Sequence, residues 1–178
     1  MMCMRLCLVC AVCSLAAMAQ NGVAQPPVPV FRAGFDARAQ AAAWEPIHGD
    51  WAVVDGAYCQ RDAAGPGYRY ALVAVPFKPT LVVVHATPTK KNDYGFASFG
   101  VVVDYLDAAN WRILRFGSYG GMSLMVMVDG KKKVHALGTF VPELGRTYQV
   151  ALAWQQGRVA AFLDGRLLHI LRARWPGR

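Results

Sequence analysis

The stretch GRTYQVALAWQQGRVAAFLDGRLL, residues 145–168, decides the fold. In its first half Tyr148, Val150, Leu152 and Trp154 fall on one side of an extended chain. After Gln156-Gly157 the alternation resumes, with Val159, Ala161 and Leu163 together. Period-two alternation of this length reads as half-buried strand. Asp164-Gly165 supplies the positive φ angles that a two-residue hairpin turn requires, and Gln156-Gly157 is read the same way. The stretch is therefore three antiparallel strands joined by two tight turns.

The same grammar extends upstream. Asp55-Gly56 separates Trp51–Val54 from Ala57–Gln60, and Asp129-Gly130 separates Ser123–Val128 from Lys132–Leu137. Leu124, Val126 and Val128 oppose Met125 and Met127, so that strand is apolar on both sides and expected to be central. Further strands are expected at Tyr70–Val75, Leu81–Thr87, Phe96–Tyr105 and Trp111–Phe116. Ala37–Trp44 has helix-forming composition with Asp36 as N-cap, which predicts one helical turn. About ten short strands predict an all-β fold, a two-sheet antiparallel jelly-roll sandwich. The length of 178 residues, 55% of them hydrophobic and 17% charged, suits one domain and excludes a disordered tail protein.

The N-terminus reads as an export signal. Arg5 precedes an apolar run from Leu6 to Met18, and Ala17-Met18-Ala19 fits signal-peptidase cleavage before Gln20. The run falls short of the roughly 20 residues a membrane-spanning helix needs. The expected organisation is signal peptide 1–19, Pro-rich linker 20–30 and a single sandwich domain 31–178, with a secreted, periplasmic or cell-surface location. Four of the five cysteines, Cys3, Cys7, Cys10 and Cys13, lie in the leader. The exported domain is thus expected to hold Cys59 alone, as a small buried apolar side chain without a disulfide.

Three motifs carry a resemblance. Residues 145–168 match a pattern G-x-x-Y-x-hydrophobic, G-x-hydrophobic, hydrophobic-D-G-x-x-hydrophobic. Residues 101–116 contain Asp107-Ala108-Ala109-Asn110-Trp111, a D-x-x-N-W edge. Residues 49–58 contain Trp51-Ala52-Val53-Val54-Asp55-Gly56, a W-x-hydrophobic-x-D-G segment. Together they resemble the concanavalin A-like lectin/glucanase superfamily, in its laminin G-like and 3-keto-disaccharide hydrolase-like branches, over residues 31–171. The resemblance implies a sandwich that binds a glycan or a surface partner. It leaves two other roles open: hydrolysis of sugar derivatives of the 3-keto-disaccharide type, and a structural adhesion module of a larger protein. Such domains close with a strand that pairs beside the first. Here Trp175-Pro176-Gly177-Arg178 stands where the turn into it would begin, which implies a missing closing strand and an open edge at Phe31–Phe35, a surface for self-association.

Residues for chemistry are sparse. Glucanases of this superfamily carry Glu-x-Asp-x-Glu on one strand, but Glu45 and Glu143 are the chain's only glutamates, so that retaining mechanism is absent. Ser98, Ser118 and Ser123 lie outside any Gly-x-Ser-x-Gly elbow. His48, His85, His135 and His169 have no zinc spacing. Asp104, Asp107 and Asn110 offer oxygens for calcium, the one cofactor considered, although the same residues serve as turn formers. Sugars present apolar C–H faces that stack on aromatic rings, and Tyr94, Tyr105, Asn110, Trp111, Arg112 and Tyr119 are the candidate ligand-binding set, with Trp111 also suited to the core. The net charge of +8 gathers partly in Lys90-Lys91 and Lys131-Lys132-Lys133, read as solvated hairpin tips. Export argues against nucleic acid as a partner.

Overall fold

The computed structural model describes residues 2–5, 33–35, 41–62, 69–73, 80–92, 95–118 and 121–172. Thirteen strands account for most of them: β1 (Met2–Arg5), β2 (Trp44–Pro46), β3 (Trp51–Val54), β4 (Ala57–Gln60), β5 (Ala71–Val73), β6 (Leu81–Pro88), β7 (Phe99–Asp107), β8 (Asn110–Ser118), β9 (Gly121–Val128), β10 (Lys131–Thr139), β11 (Tyr148–Gln155), β12 (Arg158–Leu163) and β13 (Arg166–Arg172). They form a seven-stranded sheet in the order β13-β12-β11-β6-β1-β4-β3, a four-stranded sheet β10-β9-β8-β7, and the small pair β2-β5. All the pairings are antiparallel. The protein is an all-β two-sheet sandwich, as the alternation predicts.

The tight turns fall where the sequence puts them. Asp55, Asp129, Gln156 and Asp164 have φ of 48–49°, and the glycine after each is also positive. Two successive left-handed residues give a turn whose twist matches that of the strands it joins.

The core lies between the two large sheets. Tyr148, Val150 and Leu152 of β11 and Val159, Ala161 and Leu163 of β12 face Phe99, Val101 and Val103 of β7, Leu114 and Phe116 of β8, and Leu124 and Val126 of β9. The Phe99 ring stacks on Phe116 at 4.9 Å and on Tyr148 at 5.2 Å between centroids. The Tyr148 hydroxyl accepts the Glu143 N–H at 2.8 Å, and the Arg146 guanidinium sits 4.8 Å from its ring centroid. A second apolar layer, Trp111, Ile113 and Met125, covers the outer face of the four-stranded sheet, with Tyr70, Val102, Tyr105 and Met127 packed against it.

Several expectations change. The helical turn expected over Ala37–Trp44 ends earlier: Ala41 is helical, 42–43 turn, and Trp44 already opens strand β2, while residues 36–40 lie outside the described residues. Ala33–Phe35 is irregular and Phe35 has φ of 57°, so the expected strand at 31–35 is absent where described. Its buried side chain stacks on Tyr58 at 5.3 Å, which favours packing over ladder pairing. Among the described residues, 33–35 therefore form no sheet edge, and the seven-stranded sheet ends at β3 and β13. Lys131–Lys133 do not form a hairpin tip but begin β10, exposed like nearly every residue of that strand. Lysines on an edge strand discourage pairing with another chain. Cys59 is fully buried as expected, yet it is disulfide-bonded. Finally, residues 2–5, inside the stretch read as leader, form β1 between β4 and β6.

Candidate functional site

Asp104, Asp107, Asn110, Trp111 and Arg112 cluster where β7 turns into β8, and the structure gives each a distinct place. Arg112 shares its side of β8 with the core residue Leu114 and is 4% exposed. Its guanidinium forms an ion pair with Asp104 of β7 and donates to the Arg172 carbonyl of β13, on the other sheet. It is a link across the sandwich and is withdrawn from any ligand. A register shift between Val102 and Asp104 places the aspartate opposite Arg112. Asp107 caps the turn, its Oδ1 accepting the Ala109 N–H at 2.8 Å and the Asn110 side-chain amide at 3.0 Å. The Asn110 Oδ1 accepts the Asp129 N–H at 3.1 Å, fastening this turn to the β9–β10 turn. The three oxygen-bearing residues considered for calcium are thus engaged in an ion pair and two turns. No group of three or more His, Cys, Asp or Glu residues suited to a metal occurs among the described residues.

Trp111 is 3% exposed, and its indole N–H donates to the Ala108 carbonyl at 3.2 Å. A ring so covered cannot stack on a sugar; it supports the rings above it. Tyr105 lies opposite Trp111 across β7 and β8 and is half-buried. Tyr94 and Tyr119 lie outside the described residues.

Tyr105 has a neighbour that the candidate set lacks. Tyr70, just before β5, packs beside it with ring centroids 5.9 Å apart, and both rest on the Trp111 layer. The exposed His48 imidazole meets the Tyr70 ring edge-on at 6.0 Å. Hydrogen bonds to backbone carbonyls hold this corner: the Ile47 N–H donates to the Tyr70 carbonyl at 3.0 Å, and the Trp51 indole N–H to the His48 carbonyl at 2.8 Å. Gly49, at φ +95°, leaves room for the Arg69 side chain, which a Cβ at that position would meet at 3.0 Å. Arg69 in turn pairs with Asp62 at 3.3 Å. Burial raises the Tyr70 phenol above its ordinary pKa, and the adjoining Tyr105 phenol adds to the effect by charge and hydrogen bonding. The Tyr70 ring is therefore neutral and polar-tipped at neutral pH.

The site is thus an aromatic corner, His48–Tyr70–Tyr105, with an Arg69–Asp62 pair beside it and a buried tryptophan beneath. Such a surface offers apolar faces to C–H groups and fixed donors and acceptors to hydroxyls. Tyr105 is the one member named in the candidate set. His48 and Arg69 stand in loop segments without periodicity, and the available signal was only their nearness to Trp51 and Tyr70.

The fold has a counterpart among solved structures. A carbohydrate-binding module, CBM66 from Bacillus subtilis, superposes with a TM-score of 0.55 at 16% identity, over 73% of this chain and 79% of that one. No family model and no curated protein sequence matches the chain. At this identity the likeness speaks for the sandwich fold.

Proposed function

We propose that this protein is a non-catalytic carbohydrate-binding domain and that a sugar ring lies on the Tyr70–Tyr105 surface. The observation that carries the proposal is the side-by-side placement of two half-exposed tyrosine rings on a sandwich whose structural counterpart is a carbohydrate-binding module. Stacking removes the apolar face of a sugar from water, and His48, Arg69 and Asp62 stand within the same corner to meet its hydroxyls. The missing Glu-x-Asp-x-Glu triplet is consistent with binding without hydrolysis. An extracytoplasmic setting fits the apolar run at Leu6–Met18 and the oxidised state of Cys59, because disulfides persist in oxidising compartments.

Glycan-array screening followed by calorimetry tests the assignment. Loss of either ring, by Tyr70→Ala or Tyr105→Ala, is expected to weaken the strongest ligand about tenfold, roughly 1.4 kcal/mol, with the sandwich still folded. Unchanged affinity in the folded double variant would remove the tyrosine corner as the site. Turnover of a 3-keto-glucoside by the intact protein would replace binding with hydrolysis.

A further inference from the structure

In the seven-stranded sheet, the place between β6 and β4 is filled by four residues, Met2–Arg5. Met2–Arg5 runs antiparallel to both neighbours, with Met2, Cys3 and Met4 opposite Gln60, Cys59 and Tyr58 of β4, and Met2, Cys3, Met4 and Arg5 opposite Pro88, Thr87, Ala86 and His85 of β6. Adjacent strands lie about 4.8 Å apart, so β4 and β6 are spaced for one strand between them. Without it, two rows of backbone N–H and C=O groups would lose their partners. Cys59 adds an independent constraint. It is disulfide-bonded, and the chain's other cysteines are Cys3, Cys7, Cys10 and Cys13. A partner in the same chain must therefore lie within the stretch that reads as a removable leader, and the ladder sets Cys3 directly across from Cys59.

We propose that the N-terminal segment stays with the folded domain as a clasp, joined through a Cys3–Cys59 disulfide and through the β1 ladder. The bond forms by two-electron oxidation of the two thiols, with loss of two protons and two electrons to a thiol-oxidising partner such as a disulfide oxidoreductase of the export compartment. Hydrolysis after Ala19 does not release the segment; it yields two chains held together by the clasp.

Tryptic mapping of the exported protein under non-reducing conditions tests this. Cleavage at Arg5 isolates Cys3 in residues 1–5, apart from Cys7, Cys10 and Cys13, and cleavage at Arg38 and Arg61 isolates Cys59 in residues 39–61. Recovery of these two peptides as one cross-linked species is the expected result, whether or not the chain is cut after Ala19. Reductant should separate them and lower the Tm of the intact protein by about 5–15 °C. A protein that begins at Gln20 with an alkylatable Cys59 thiol overturns the proposal. So does a link from Cys59 to residues 6–32 or to a second copy of residues 39–61. Because the mapping is done on the unaltered chain, no variant has to fold for it to be decided.

Discussion

Tyr70 and Arg112 show how one side chain's surroundings set its work. Tyr70 has a raised pKa because ionising it would place a charge in a partly desolvated spot beside a second phenol. A group that binds its proton more tightly when folded stabilises the fold fully below its unfolded pKa, near 10, and the gain is lost as pH rises through the folded value. Stability should therefore fall above pH 10, helped by Tyr58, whose pKa burial also raises. Spectrophotometric titration at the tyrosinate band should show a late-ionising step that loses one phenol's amplitude in Tyr70→Phe; an unchanged late step would assign it to other tyrosines. Arg112 is the opposite case, a permanent charge taken into the interior. Removing one partner of a buried pair leaves the other uncompensated, so Arg112→Ala should cost about 3–5 kcal/mol in denaturant unfolding. A loss below about 1 kcal/mol would show that Asp104 finds water instead. By residue type and its place beside Trp111, Arg112 reads in the sequence as a ligand contact. Neither its burial nor its link to Arg172 was legible, since both depend on a register shift in β7 and on a strand 60 positions away in sequence.

Among the elements, the hairpins were the most legible part of the chain. β3–β4, β9–β10, β11–β12 and β12–β13 are joined by turns whose chemistry is local, so Asp-Gly and Gln-Gly announce them without help from the rest of the fold. β2 was harder, since three residues are too few for alternation to appear, whereas β5 lies within the strand expected at Tyr70–Val75. What stayed hidden is their pairing, Trp44 to Val73, across the β3–β4 hairpin. That pair brings Tyr70 to Tyr105, so the least legible pairing builds the candidate site. β8 illustrates a different constraint. Its Gly117 has φ +85°, and a Cβ there would meet the Ala97 carbonyl oxygen at 2.3 Å and Pro142 at 2.4 Å. Gly117→Ala should therefore destabilise by more than about 1 kcal/mol in thermal or denaturant unfolding. A neutral result would mean that the Phe96–Ser98 segment can move aside.

At the scale of the molecule, the sandwich followed from composition and periodicity, while the order of strands within it did not. Alternation says that a strand has a buried face and leaves its neighbours open. The place of β1 depends on which strands leave a gap, a property of the assembled sheet. The same topology bears on how the protein comes to fold. The meander β7–β10 and the meander β11–β13 connect neighbours through short turns, so each can form soon after synthesis. Pairing β11 with β6 must close a loop of about 60 residues, and contacts of that range slow folding. β1 leaves the ribosome before β4 and β6, yet its slot exists only once both have been made. Until then the segment has no ladder to join, and chaperones have that interval in which to hold it.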